Sequence, residues 1–274
     1  MPAMVLNKST ARQLDMAELD TKHGYLFLGP AGLGKTSSAK YFAVKKIGPD
    51  VSQGDLARWI MTISPIDDKK ISIDQVRPAS DFINKSKPEH VNYRVLIIDH
   101  AELLSPEAAN SLLLLVEEPP AATLIIFVSD SADALPSTIL SRLQKISFYP
   151  PIAKEIEPLL SSLEVPIWAA EAIGPFPAKL IAASQDGYKS IASISEIADK
   201  FISADIVGRL TIAASLEGKA DLRSLVSAIA LKLYRSSPSP AWLKQSNSLI
   251  FAQSHLYNNG NPKFIIESLA MEFE

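Results

Sequence analysis

Between residues 25 and 148, short apolar runs alternate with stretches of helical periodicity. Residues 25–28, 59–63, 93–98, 124–129 and 145–148 read as strands. Two of these, Val95-Leu96-Ile97-Ile98 and Leu124-Ile125-Ile126-Phe127-Val128, are continuously apolar rather than alternating. Parallel strands covered on both faces require that pattern. Between the strands, residues 35–46, 72–86 and 105–118 place apolar side chains at helical spacing. Ser72 with Gln75 predicts a capping box, and Ser105 before Pro106 and Glu107 predicts an N-cap, an N1 proline and an acidic first turn. Strand and helix in alternation predict an α/β domain with a mostly parallel sheet.

After Tyr149-Pro150-Pro151 the strand signals give way to helices at 166–173, 177–184 and 191–202, then a longer set from about residue 206. Ser236-Ser237-Pro238-Ser239-Pro240 predicts a loop. Gly260-Asn261-Pro262 predicts the end of one helix and, with Asn261 as N-cap and Pro262 at N1, the start of the last.

Composition narrows the function classes. Hydrophobic residues at 47% and charged residues at 21% suit a folded globular chain and exclude a disordered or collagen-like one. A net charge of −3 excludes a surface that is basic throughout, so any nucleic-acid contact is local or shared with partners. The apolar runs are of strand length, far short of a membrane span, and the first twenty residues carry no signal-peptide pattern. A soluble, cytoplasmic protein is the expectation. Cysteine is absent, which excludes disulfides, thiol catalysis and cysteine-ligated zinc; His23, His90, His100 and His255 show no metal-ligand spacing.

The chemistry concentrates at Gly29-Pro30-Ala31-Gly32-Leu33-Gly34-Lys35-Thr36, a complete phosphate-loop pattern between an apolar strand and a helix. Its glycines let backbone N–H groups curl around a polyphosphate, and the helix offers its positive end. Lys35 is placed to reach the β- and γ-phosphates, and the Thr36 hydroxyl to ligate Mg²⁺. Asp99, at the end of the apolar run 95–98, is the expected second Mg²⁺ partner, acting through water. His100 follows it where ATPases of this kind usually carry a glutamate base; imidazole has a shorter reach and no fixed negative charge. Slow hydrolysis is expected, the alternative being that His100 itself substitutes as the base. Glu102, two residues on, is expected to point elsewhere unless the strand has already ended.

Several segments together carry a resemblance. The run from His23 into the phosphate loop, Ile73-Asp74-Gln75-Val76-Arg77, Asp99-His100-Ala101-Glu102, Asn110-Ser111-Leu112-Leu113 with Glu117-Glu118-Pro119-Pro120, and 135–142 (Leu-Pro-Ser-Thr-Ile-Leu-Ser-Arg) resemble the bacterial clamp-loader branch of the AAA+ ATPases. The likeness is strong over 22–148 and weaker in the helical zones, where Asn261-Pro262 and 265–269 resemble the end of the family's collar. It implies an α/β P-loop AAA+ nucleotide-binding domain at 1–149 with a parallel sheet and flanking helices, a small helical lid at 150–205 and an α-helical collar at 206–274. It implies ATP or ADP with Mg²⁺ as cofactors. Ser141-Arg142-Leu143 resembles the family's Ser-Arg-Cys motif, whose arginine reaches ATP held by the neighbouring subunit, so Arg142 is implied as a finger acting in trans. Ser129 or Asp130 falls at the polar sensor position near the γ-phosphate. The family's second sensor, a basic residue opening a lid helix, is displaced to Lys179 behind Pro177. The four-cysteine zinc module of many relatives is missing or replaced by the segment 51–64.

The implied role is that of a partly static subunit in a machine that loads a ring-shaped sliding clamp onto primer–template DNA. Its implied partners are gamma/tau-like and delta-like subunits, the clamp and the DNA, with no membrane and no zinc. Lys69, Lys70, Arg77, Lys85 and Lys87 form one local basic cluster suited to phosphate contact within an assembly. Two alternatives stand beside this reading: the ATP-hydrolysing gamma/tau-type motor of the same machine, and a stand-alone homo-hexameric AAA+ remodelling ATPase. His100, and the chain's end at Glu274 where the motor often extends further, favour the static role.

Overall fold

The computed structural model describes residues 5–67, 69–133, 135–165, 169–170, 173–185, 187–216, 219–235, 240–257 and 261–273. Two compact units divide the chain. The first holds residues 1–162 with 175–179, and the second holds 163–174 with 180–274.

The first unit is built on five parallel strands: β1 (Gly24–Leu28), β2 (Ile60–Ile63), β3 (Arg94–Ile98), β4 (Thr123–Ser129) and β5 (Gln144–Ser147). Their spatial order is β2-β3-β4-β1-β5. Each lies within a residue or so of its sequence-based expectation. Every residue of β3 and β4 is buried, as their continuous apolar runs require. Alternate side chains feed two cores. Phe27, Val95, Ile97 and Ile126 meet Ala39, Phe42 and Ile47 of α2 (Lys35–Ile47) on one face. Leu96, Ile98, Ile125 and Phe127 meet Val76 and Ile83 of α3 (Ile73–Asn84) and Leu112 of α4 (Pro106–Glu117) on the other.

The predicted caps form. Ser72 donates its backbone N–H to Gln75 Oε1 at 3.0 Å, and Ser105 Oγ accepts from the Ala108 N–H at 3.2 Å. A further helix, α1 (Lys8–Glu18), precedes the sheet and was not anticipated. Asn7 caps it by accepting from the Ser9 N–H, and Thr10, Leu14 and Ala17 supply a buried stripe at helical spacing. It closes the β5 edge: the Ser147 N–H donates to Gln13 Oε1 at 2.9 Å and Thr10 Oγ1 donates to the Ser147 carbonyl at 3.0 Å. An open strand edge is thereby covered. The remaining helices of this unit are the one-turn α5 (Ser137–Leu140) and α6 (Ala153–Ser162). In place of a zinc module, the segment 51–64 forms a 3-10 turn (Gln53–Arg58) leading into β2.

Arg94 pins the loop before β3. Its guanidinium, buried among apolar neighbours, donates to the carbonyls of Lys85, Ser86 and Arg58 at 2.9, 2.6 and 3.1 Å and lies between the rings of Trp59 and Phe82.

Helix α7 (Pro177–Gln185) begins within the first unit and runs into the second. The second unit is helical in its described residues, with α8 (Lys189–Ser203), α9 (Ile206–Ala214), α10 (Lys219–Arg235), α11 (Pro240–Tyr257) and α12 (Pro262–Glu272). Ala198, Phe201, Leu222, Ile229, Leu249, Ile266 and Phe273 share one core. Phe201 meets Phe273 edge-on at 5.6 Å, and buried Arg209 donates to the Phe201 carbonyl at 3.1 Å. Asn261 caps α12 by accepting from the Lys263 N–H, with Pro262 at N1. The predicted helix at 166–173 lies largely outside the described residues, as do Gly260 and the loop at 236–239.

Candidate nucleotide site

The carboxyl ends of β1, β3 and β4 lie side by side in the sheet, and each releases its chemistry at the same edge. Ligands in open parallel sheets gather there, because the loops diverge and helix N-termini point in. After β1 the loop bends through Gly29, Gly32 and Gly34, with φ of 156°, 88° and 77°. Gly34, in the left-handed region, is the N-cap of α2. At Gly32 a side chain has no room: a Cβ would lie 2.9 Å from Lys179 Cγ. Leu33 is buried in the core and anchors the loop, while Pro30 and Ala31 stay at the surface.

Lys35 and Thr36 open α2 beneath this loop. Lys35, 6% exposed, donates from Nζ to the Pro30 carbonyl at 2.9 Å and to Asp130 Oδ1 at 2.7 Å. Thr36 Oγ1 donates to Asp99 Oδ1 at 2.8 Å. The hydroxyl and carboxylate expected to share a metal therefore already meet. This donor set, one neutral oxygen and one carboxylate with no nitrogen or sulfur, fits Mg²⁺, which is held by few protein oxygens plus water and phosphate.

The residues after Asp99 turn sharply. His100 takes a left-handed conformation (φ 52°) and starts a 3-10 turn, Ala101–Leu103. The strand has ended, so Glu102 folds back into the cleft instead of pointing away. Its carboxylate lies 3.1 Å from His100 Nδ1, accepts from Ser129 Oγ at 2.8 Å and accepts from the Asp130 N–H at 3.2 Å. Burial pushes the Glu102 carboxyl up, yet the hydrogen bonds from His100, its own backbone and Ser129 outweigh it and hold it below the usual glutamate range. The hydrogen bond to Glu102 raises His100 above an ordinary imidazole, against a smaller effect of burial. Glu102 closes the run 99–102 already singled out in the sequence; the left-handed turn at His100 is what brings it into the cleft.

At the end of β4 the two sensor candidates separate. Ser129 Oγ lies 2.8 Å from Glu102 Oε2 and 2.7 Å from the Ser131 carbonyl, its single proton shared between the two acceptors, whereas Asp130 faces Lys35. Lys179, displaced in sequence, is brought to the loop. It sits in the first turn of α7 with its stem against Gly32, and the Ala178 N–H donates to the Gly32 carbonyl at 3.1 Å. Its Nζ lies 4.7 Å from the centre of the Phe176 ring. Burial lowers the Lys179 ammonium, partly offset by the attraction of Asp130.

Arg142 stands apart from this cluster. Following α5, it donates to the Thr138 carbonyl at 2.8 Å and pairs with Glu117 at 2.9 Å, both side chains being about 40% exposed. In the basic cluster, Lys69, Lys70 and Lys85 are exposed, Arg77 pairs with Asp74 at 3.1 Å, and Lys87 donates inward to the Val91 carbonyl. Among the described residues no helix is long and apolar enough to cross a membrane.

A glycine loop between strand and helix, a lysine and a threonine beneath it, and an aspartate on a neighbouring strand define a P-loop NTPase domain. The family described as "DNA polymerase III, delta subunit" matches residues 8–151, more than half of the chain. The chain belongs to that family, within the DNA polymerase III clamp-loader group. The DNA polymerase III subunit tau of Bacillus subtilis is 35% identical over 139 residues, which make up 46% of this chain and 24% of that protein. The subunit delta' of Pseudomonas aeruginosa is 27% identical over 175 residues, 58% of this chain and 50% of that protein. The chain thus spans half or less of the length of these relatives. A DNA polymerase III gamma subunit-related protein from Thermotoga maritima has the same fold, with a TM-score of 0.60 at 19% identity over 95% of this chain and 98% of that one.

Proposed function

We propose that this chain is a delta-prime-like clamp-loader subunit that binds nucleotide, turns it over slowly and lends Arg142 to a neighbour. The observation that carries the proposal is the meeting of Lys35, Thr36, Asp99 and Asp130 under the glycine loop, beside a His100 that is tied to Glu102. Thr36 would ligate Mg²⁺ and Asp99 would hold it through water. Bound there, the ion would neutralise charge on the phosphates. Lys35 would contact the phosphates, and Lys179, lying over the loop, suits the second-sensor role. Ser129, held by Glu102, would act from the β4 end.

The base position supports slow turnover. A general base must accept a proton from the attacking water. Glu102 raises His100 above an ordinary imidazole and engages its Nδ1, which works against its taking up that proton. Arg142 suits action in trans because its ion pair with Glu117 is exposed, and exposed pairs are worth about 0–1 kcal/mol. A neighbour's phosphate would take the guanidinium away from Glu117 at little cost.

The proposed division is a nucleotide-binding domain at 1–149, a lid at 150–205 and a collar at 206–274. Ala198 and Phe201 of α8, at the end of the lid segment, bury against collar helices. On the second unit Val207, Phe264 and Met271 remain exposed, an apolar surface suited to partner subunits of gamma/tau and delta type. The sliding clamp and primer–template DNA would be met through that cytoplasmic assembly. The motor reading stands beside it, because relatives named tau and gamma/tau are 35% and 31% identical over 139 residues.

Fluorescent MgATP and MgADP titrations of the chain and its Lys35→Ala variant test the proposal, alongside single-chain turnover. Binding that is lost in the variant, with turnover near background, is expected. Brisk turnover by the chain alone would favour the motor.

A further inference from the structure

The ion pair between Lys35 and Asp130 is the most sheltered charged contact in the cleft, with 6% and 16% of the two side chains exposed. A lysine ammonium has three donors. In this cleft one goes to the Pro30 carbonyl and one to Asp130 Oδ1, leaving a single donor for a ligand. Asp130 is itself held in place. Its backbone N–H is bonded to Glu102, whose carboxylate is fixed in turn by Ser129 and His100. The backbone that carries the Asp130 carboxylate is therefore fixed at the end of β4.

A nucleoside diphosphate needs one contact from this lysine, to its β-phosphate. A triphosphate would ask for a second contact, to the γ-phosphate, from an ammonium that Asp130 already engages at 2.7 Å. A further negative group drawn to the same ammonium would be repelled by the Asp130 carboxylate in this sheltered site. We infer that Asp130 makes this cleft select nucleoside diphosphates over triphosphates, so that the chain holds a diphosphate as its resting ligand. The inference rests on the reading that the glycine loop binds nucleotide. Lys179, packed on Gly32 and attracted by Asp130, stands on the same side of the loop. It moderates the repulsion without removing the carboxylate from Lys35.

The test is calorimetric titration of the full chain with MgADP and MgATP, chromatography confirming that the ATP stays intact. The wild-type chain should bind ADP about tenfold or more tighter than ATP. Asp130→Asn keeps the shape and removes the charge, and it should bring the two affinities to within about threefold, chiefly by tightening ATP. Circular dichroism and the melting temperature establish that the variant is folded. Displacement of a fluorescent nucleotide from the wild-type chain by pyrophosphate and by tripolyphosphate gives a second reading that needs no variant, with pyrophosphate the stronger competitor. Equal or tighter binding of ATP by the wild type overturns the inference, as does an ADP-to-ATP ratio unchanged in Asp130→Asn. If neither nucleotide binds the wild-type chain, the nucleotide reading itself falls and this inference with it. If both bind equally, only the role of Asp130 falls.

Discussion

Replacing Glu102 by glutamine isolates what its charge does in the cleft. The carboxylate accepts from Ser129 Oγ at 2.8 Å and from the Asp130 N–H at 3.2 Å, and it faces His100 Nδ1 at 3.1 Å. Hydrogen bonds to a charged acceptor contribute about 1.5–3 kcal/mol, against about 1 kcal/mol for a neutral one. Neutralising Glu102 thus weakens two sheltered bonds by about 0.5–2 kcal/mol each. The His100 contact adds under about 0.5 kcal/mol, because half of that imidazole meets solvent. The expected cost is about 1–4.5 kcal/mol.

The pH dependence has a definite sign. Glu102 is held below its ordinary value of 4.5, so its contribution is present above that pH and is lost as pH falls through the lower folded value. His100 is raised above 6.5, so its contribution is complete below that pH and is lost as pH rises through the higher folded value. Both act fully between about pH 4.5 and 6.5, and Glu102→Gln should flatten the stability profile at either side of that window. With two compact units in the chain, a single unfolding free energy is ill-defined. Hydrogen exchange of β3 and β4 amides, followed by mass spectrometry across pH, reads the first unit separately. Proton NMR reads the His100 midpoint, with His100→Asn identifying its resonance. That midpoint should move down toward the ordinary histidine value in Glu102→Gln. An unmoved midpoint together with unchanged exchange protection would refute the reasoning.

Other perturbations have equally definite outcomes. Arg94→Met removes the hydrogen bonds to the carbonyls of Lys85, Ser86 and Arg58 and should cost about 2–4 kcal/mol, seen as faster exchange in 85–98 with the second unit unaffected. Gly32→Ala meets Lys179 and an unfavourable φ of 88°; it should weaken nucleotide binding, and adding Lys179→Ala should recover only part of the loss because the backbone conformation stays. Thr36→Val removes the hydroxyl beside Asp99 and should abolish the dependence of nucleotide affinity on Mg²⁺, measured by titration with and without a chelator. Arg142→Ala should leave this chain's nucleotide affinity within about twofold while lowering the clamp- and DNA-stimulated ATPase of a reconstituted complex about 10³-fold or more. Loss of the first with no change in the second would place Arg142 in cis.

The sheet and the phosphate loop were legible because each rests on local pattern. Unbroken apolar runs specify strands buried on both faces, and glycine spacing with Lys35 and Thr36 specifies the cradle. Helix α1 was less so. Its buried stripe is Thr10, Leu14 and Ala17, and Thr10 is polar because it bonds the β5 edge, so no apolar periodicity announces it. Glu102 and Lys179 were both singled out in the sequence, Glu102 as pointing away unless the strand had ended and Lys179 as a displaced sensor, but their places in the cleft were not legible. They depend on backbone turns, the left-handed residue at His100 and the start of α7 at Pro177. The choice between Ser129 and Asp130 was undecidable along the chain, because adjacent residues at a strand end face opposite ways and either assignment satisfies the motif.

The charges of the cleft suggest why these departures occur together. In an ATPase with glutamate after the metal aspartate, the base is free to meet water. In this chain the glutamate stands two residues later and is turned onto Ser129 and the Asp130 backbone, where it fixes the end of β4. That end carries Asp130, which neutralises Lys35. One side chain therefore links the residue after Asp99 to the carboxylate on Lys35. Variation at Glu102 should act on both at once. Loosening it would lower His100 toward an ordinary imidazole and free Asp130 to leave Lys35, so turnover and triphosphate affinity should rise together in Glu102→Gln. A rise in one without the other would show that the base position and the ligand preference are independent features of the site.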